Sequence, residues 1–81
     1  MQKSQMQNEV LSFLSNQVNI PIEALNATEE LKNTGLDSFQ IIEMVLFIER
    51  KFGIVIPDHA YTPGNLRSVD SIVNCAMEYK M

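Results

Sequence analysis

The stretch from residue 35 to residue 53, GLDSFQIIEMVLFIERKFG, decides the fold of this 81-residue chain. Between its two terminal glycines it contains neither glycine nor proline, and nine of the fifteen residues from 38 to 52 are apolar. Asp37 suits an N-cap, and Gln40, three residues later, can complete a capping box. Gly53 can adopt the left-handed conformation that ends a helix. The pattern predicts one helix over Ser38–Phe52.

The apolar residues of this helix occupy more than one face. At 100° per residue a core stripe is predicted from four of them, Ile41, Val45, Ile48 and Phe52. Three others, Phe39, Ile42 and Leu46, lie on a flank beyond that stripe. Either the long first loop covers Ile42 and Leu46, or an apolar strip stays exposed, edged by Glu43 and Glu49, and docks a partner.

Before this helix the chain predicts one more helix and a long connection. Apolar residues at three- and four-residue steps predict a helix from near Ser4 to about Asn16, and Asn19-Ile20-Pro21 ends it. The connection extends to about Gly35. It has room for a turn of helix at 22–25, and Leu31 is its expected core anchor.

After the central helix, Pro57–Ala60 predicts a short third helix with Asp58 as its cap. The spacing of Val69, Ile72, Val73, Ala76 and Met77 predicts a last helix capped by Ser68. No segment shows sustained alternation of apolar and polar residues. The expected fold is all-α, a small four-helix bundle with three main helices and a short third one, forming a single domain over residues 1–81.

Composition excludes several classes of function. A net charge of -4 disfavours nucleic acid. No apolar run approaches the roughly 20 residues of a membrane span, so we expect no membrane partner. One cysteine, Cys75, and one histidine, His59, provide neither an internal disulfide nor a zinc-ligand set. We expect Cys75 to be a buried, inert thiol, His59 to lie in an exposed loop, and the chain to be a cytoplasmic monomer.

Ser38 is the candidate site for chemistry. The first turn of a helix has unpaired N–H groups and the positive end of the helix dipole, which favour an attached phosphate. No histidine lies nearby in the sequence to activate the hydroxyl, so we predict neither a catalytic residue nor a metal site, and any reaction at Ser38 needs another enzyme. A serine at a helix start is also an ordinary capping residue, and spacing alone leaves both interpretations open.

Two separated motifs resemble the acyl carrier protein family. Gly35-Leu36-Asp37-Ser38-Phe39 is similar to its G-x-D-S-L site, and Phe52-Gly53-Ile54-Val55-Ile56-Pro57-Asp58 to its downstream F-x-x-x-I-P-D segment. The resemblance implies a four-helix fold and a 4'-phosphopantetheine arm on Ser38, transferred from coenzyme A by a phosphopantetheinyl transferase that uses a divalent metal. It implies that Asp37 helps recruit the transferase or orient its metal site. The implied partner-docking residues are Phe39, Ile42, Glu43, Leu46 and Glu49.

The resemblance also implies a function. A discrete carrier of this kind is not an enzyme; it receives an acyl group as a thioester from a loading enzyme and presents it to downstream synthases, transferases or modifying enzymes. Phe39 stands where the family usually has leucine, and Gln40, Arg50 and Lys51 stand at commonly acidic positions. These departures disfavour a role in fatty-acid synthesis. Residues 62–69, TPGNLRSV, resemble the corresponding loop of discrete carriers in specialised pathways, which favours polyketide or hybrid polyketide-peptide biosynthesis. The alternatives are an aminoacyl carrier, including the D-alanyl type, and a helical interaction domain without a prosthetic group.

Overall fold

Three α-helices form the framework of the computed structural model, which describes residues 2–80. They are α1 (Lys3–Val18), α2 (Ser38–Phe52) and α3 (Val69–Glu78). Single 3₁₀ turns lie in the connections at Ile22–Ala24, Leu31–Thr34 and Asp58–Ala60. Residues 2–80 contain no β-strand, and no helix among them is long and apolar enough to cross a membrane. The predicted all-α fold with three main helices is confirmed.

The boundaries of α2 are as predicted, whereas two other elements differ. α1 begins one residue before the expected start and continues two residues past the expected end, to Val18. It stops at Asn19, whose φ of 57° is left-handed, a conformation that asparagine tolerates better than most residues. The expected short third helix is one 3₁₀ turn, and Pro57 rather than Asp58 occupies its N-cap position, without a side-chain capping bond.

All three helices contribute to one hydrophobic core. Its most deeply buried residues are Met6, Val10 and Leu14 of α1, Met44, Val45 and Ile48 of α2, and Val69, Ile72, Val73 and Ala76 of α3. Such continuous burial is what a chain of this length needs to fold without a disulfide.

The core stripe predicted for α2 is only half right. Val45 and Ile48 are buried, but Ile41 and Phe52 are half-buried, and Met44, outside the predicted stripe, is fully buried. The reason is the position of α1, whose Phe13 ring stacks on the Phe47 ring of α2 with 4.6 Å between centroids. Contact with α1 rotates the buried arc of α2 toward Met44, and aromatic stacking of this kind stabilises the pairing of the two helices.

Backbone hydrogen bonds tie the long first connection to the start of α3. Leu31, buried as predicted, donates its N–H to the carbonyl of Arg67 at 2.8 Å, and Asp70 donates its N–H to the carbonyl of Ala27 at 2.8 Å. These bonds satisfy backbone groups that have no partner within a helix. They also bring the residues just before α2 close to the loop that precedes α3.

The packing of α2 generates a stability prediction. Ile48→Ala removes a fully buried side chain and should lower the free energy of unfolding by about 2–4 kcal/mol. Ser12→Ala, at an exposed position of α1, should change it by less than about 0.5 kcal/mol. Urea unfolding followed by circular dichroism measures both values. Similar losses in the two variants would contradict the assigned core.

Candidate functional site

The residues before α2 hold Ser38 at the surface. Gly35 has a φ of 84°, a left-handed conformation that suits glycine, and it turns the chain so that Leu36 is buried in the core. Asp37 is extended, and Ser38 follows as the first residue of α2 with an exposed side chain. A buried anchor two residues away therefore fixes the position of the serine while its hydroxyl faces solvent.

Asp37 and Gln40 cap the helix reciprocally, as predicted. The Gln40 N–H donates to Asp37 Oδ1 at 2.8 Å, and the Asp37 N–H donates to Gln40 Oε1 at 3.2 Å. The Ile41 N–H donates to the Asp37 carbonyl at 3.1 Å. Within residues 2–80 the N–H groups of Ser38 and Phe39 have no such acceptor, so they can receive an anionic group attached at the helix start.

A groove of about 330 Å³ opens beside Ser38. Its other lining residues are Ile41, Ile42, Tyr61, Thr62, Pro63 and Leu66. None of these side chains is a general base that could activate the hydroxyl. Among the described residues, no three His, Cys, Asp or Glu side chains lie together as candidate metal ligands. The arrangement suits a serine that is modified by another enzyme.

Tyr61 is a lining residue that the sequence pattern does not identify. Burial raises the pKa of its phenol, and the carboxylates of Glu49 and Asp58 and the Cys75 thiol raise the pKa further. The phenol therefore stays neutral at neutral pH. The groove beside Ser38 is thus predominantly apolar and carries no charge of its own.

Four of the five predicted docking residues share a second groove, of about 260 Å³, between α1 and α2, and Glu49 does not line it. Phe39, Ile42, Glu43 and Leu46 line it together with Phe13, Gln17 and Arg50. Leu46 is 40% exposed, so the interpretation in which the long first loop covers it is wrong, whereas Ile42 is half-buried. Phe39 is 70% exposed. The neighbour of the flank is α1.

The comparisons with known proteins agree with this geometry. A family model described as the phosphopantetheine attachment site matches residues 8–75. This chain belongs to that family. The resemblance to acyl carrier proteins is confirmed. Proteins of this family carry a covalently attached 4'-phosphopantetheine arm and are carriers rather than catalysts.

Among curated proteins, aminoacyl carrier protein 2 of Bradyrhizobium diazoefficiens is 32% identical over 69 residues, covering 83% of this chain and 78% of that protein. Acyl carrier proteins of Helicobacter pylori strain 26695 and Helicobacter acinonychis are 29% and 31% identical over 51 residues. Those alignments cover 62% of this chain and 65% of each relative. No solved structure matches significantly.

Glu49 has a contact that the sequence pattern does not reveal. Its Oε2 accepts the N–H of Ile56 at 2.8 Å in a partly buried setting, which ties the segment after α2 back onto the helix. In that segment Ile54 and Ile56 are buried and Val55 is 79% exposed. Glu49 therefore stabilises the segment that connects α2 to Tyr61 in the Ser38 groove.

Two other singled-out residues lie away from Ser38. Cys75 is 5% exposed, so its predicted burial is confirmed. Burial first, then Glu78, raises the pKa of its thiol. His59 is exposed in the 3₁₀ turn, as predicted, with Nε2 3.4 Å from the Tyr79 hydroxyl.

The bond between Glu49 and Ile56 generates the second prediction. Glu49→Ala should speed amide hydrogen exchange of Ile56 about tenfold or more, because a hydrogen bond to a charged acceptor contributes roughly 1.5–3 kcal/mol. Glu49→Gln keeps an acceptor oxygen at this position and should retain most of the protection. Exchange measured by NMR checks both variants. Equal exchange in the wild type and Glu49→Ala would contradict the tie.

Proposed function

We propose that this carrier holds an acyl or aminoacyl group as a thioester on a 4'-phosphopantetheine arm attached to Ser38, and presents it to partner enzymes. The observation that carries the proposal is the exposed serine at the start of a capped, fifteen-residue helix within a phosphopantetheine attachment family. When attached, the arm supplies a terminal thiol for the thioester. The chain supplies a fixed attachment point and the surfaces that partners recognise.

The residues around Ser38 fit such an arm. The exposed hydroxyl is accessible to a transferase, the N–H groups of Ser38 and Phe39 suit a phosphodiester, and the helix dipole favours its negative charge. The apolar groove lined by Ile42, Tyr61 and Leu66 accommodates uncharged parts of an arm or cargo. Asp37 has two roles in this proposal: it caps α2, and its carboxylate helps recruit the transferase or orient its metal.

Partner enzymes dock, on this proposal, on the surface formed by Phe39, Ile42, Glu43, Leu46 and Glu49. Support comes from the exposure of Phe39 and Leu46 beside half-buried Ile42 and Glu43. Carriers of this family work with a phosphopantetheinyl transferase and a loading enzyme. We infer that downstream synthases, transferases or modifying enzymes use the same face. A single-domain monomer located in the cytoplasm stays a prediction.

The cargo class has two candidates. The departures at Phe39, Gln40, Arg50 and Lys51 disfavour fatty-acid synthesis, and the loop at residues 62–69 favours an acyl intermediate of specialised polyketide or hybrid polyketide-peptide biosynthesis. An aminoacyl cargo, including D-alanine, is favoured by the similarity to aminoacyl carrier protein 2, which extends over 69 residues. An interaction domain without a prosthetic group has no support from the family match and serves as the contrary outcome of the test.

Modification of Ser38 is the third prediction. Purified protein incubated with coenzyme A, magnesium and a promiscuous phosphopantetheinyl transferase should gain the mass of one phosphopantetheine, measured by intact mass spectrometry. Ser38→Ala should gain nothing, whereas Ser12→Ala, which removes another exposed serine hydroxyl, should gain the full mass. No gain in the wild type would favour the interaction domain.

Asp37→Asn separates the two roles proposed for Asp37. Asparagine caps helices about as well as aspartate, so the free energy of unfolding should stay near the wild-type value. Loss of the charge should slow modification about tenfold, the order expected for one charge-assisted contact. An unchanged modification rate would exclude a role of the Asp37 charge in recruiting the transferase or orienting its metal, and only the capping role would remain.

The cargo can be identified on carrier isolated from its source cells. Intact mass above that of the arm-bearing protein gives the mass of the thioester-linked group, and release by a small thiol confirms the thioester. A free amine in the released cargo would establish the aminoacyl type. Its absence would establish the acyl type.

A further inference from the structure

The groove between α1 and α2 carries two charges that nothing else in the described chain neutralises. Of the four charged side chains on α2, Lys51 pairs with Glu9 at 3.5 Å, and Glu49 accepts the Ile56 N–H. Glu43 and Arg50 line the groove and belong to no ion pair within residues 2–80. The helix is therefore electrically balanced in sequence, but its unpaired charges are concentrated on one face.

The spacing of these two charges is regular. Glu43 and Arg50 are seven residues apart, which is two helical turns and about 10 Å along the axis, and only 20° apart around it. Leu46 lies between them, 40% exposed. Glu43 is at the end nearer Ser38. A negative end, an apolar centre and a positive end thus follow one another along the groove.

The other wall of the groove comes from α1. Phe13 and Gln17, one turn apart, line it, and the stacking of Phe13 on Phe47 holds this wall in place. Phe39, 70% exposed, adds apolar surface at the Ser38 end. The recognition surface therefore extends past α2 onto α1.

We propose that this groove binds an α-helix on the surface of a partner enzyme. That helix places an apolar side chain over Leu46, a cationic side chain at Glu43 and a carboxylate at Arg50. The inference rests on the proposed carrier function and specifies its docking partner. Residues i and i+7 of the partner helix match the spacing of Glu43 and Arg50, and an apolar residue between them meets Leu46 and Phe13.

A bipolar surface has a consequence for orientation. A partner with cationic residues at both positions would face Arg50 with a like charge, and a partner with carboxylates at both would face Glu43. A helix with one charge of each sign is therefore preferred, with its cationic end toward Ser38. Like-charge contacts of this kind select against wrong partners and fix register more than they add affinity.

The test uses three lactam-stapled helical peptides that share a central leucine and differ at two positions seven residues apart. One peptide has glutamate and lysine, one has two lysines, and one has two glutamates. Stapling gives the three peptides the same helix content. Because they differ in which charges they contain, and not in the order of the same charges, no peptide can mimic another by binding in the reverse direction. Titration of ¹⁵N-labelled carrier at low salt gives the affinities and maps the contact.

We expect wild-type carrier to bind the mixed peptide about threefold or more tighter than either same-charge peptide, as expected for one rim charge pair. The shifts should include Phe13, Gln17, Leu46 and Arg50. Arg50→Glu should come to prefer the two-lysine peptide, and Glu43→Lys the two-glutamate peptide. Lys51→Glu is the matched control: it changes net charge as much as Arg50→Glu but lies outside the groove, so it should keep the wild-type order.

Several outcomes would overturn the proposal. One is failure of the mixed peptide to bind at millimolar concentration, and another is equal binding of the three peptides. The proposal also fails if the chemical-shift changes map outside the groove, or if Lys51→Glu changes the order of peptide affinities as much as Arg50→Glu does. Groove shifts that grow with carrier concentration alone would identify a second copy as the occupant. Each variant is also tested for phosphopantetheine mass gain at Ser38. Wild-type carrier that gains the mass but shows no peptide preference contradicts the groove proposal alone, whereas the absence of mass gain in the wild type contradicts the carrier function.

Discussion

The burial of Met44, Val45 and Ile48 is the constraint on which the other features of this molecule depend. These three side chains are 0–1% exposed, and together they fix the rotation of α2 about its own axis. Once that rotation is fixed, every other residue of the helix has a determined direction. Phe39, Glu43, Leu46 and Arg50 must then face the groove beside α1, and Ser38 must start the helix at the surface.

A second constraint holds the serine against its groove. The bonds from Leu31 N–H to the Arg67 carbonyl and from Asp70 N–H to the Ala27 carbonyl join segments about forty residues apart in the chain. The first connection can therefore not move away from the loop before α3. Glu49 restrains the other side of this region through Ile56. Helix packing fixes α2, and hydrogen bonds in the connections fix the loops on either side of Ser38, so even a small core holds the site in place.

The sequence predicts features that depend on neighbours along the chain. The Asp37–Gln40 capping box, the left-handed Gly53 and the bounds of α2 follow from residues three to fifteen positions apart, and all are observed. Met44 in the core and Glu49 as the partner of Ile56 depend on where α1 and the 54–57 segment lie in space. Periodicity on one helix carries no information about the direction from which a second helix approaches, so the predicted core stripe is rotated away from α1. The sequence pattern does not identify Tyr61 as a groove residue for a similar reason, because only the folded connection brings it to Ser38.

The same distinction applies to charge. Counted along the chain, α2 has two carboxylates and two cations, which makes it unremarkable as a docking surface for a partner of either sign. In the fold, Glu49 is committed to a backbone amide and Lys51 to Glu9 on α1. Such contacts weaken the part that a charge can play in recognition, because a partner would have to compete with a bond that already exists. Within the groove between α1 and α2, charge recognition then depends on Glu43 and Arg50, which set the direction of a partner helix and add no net charge.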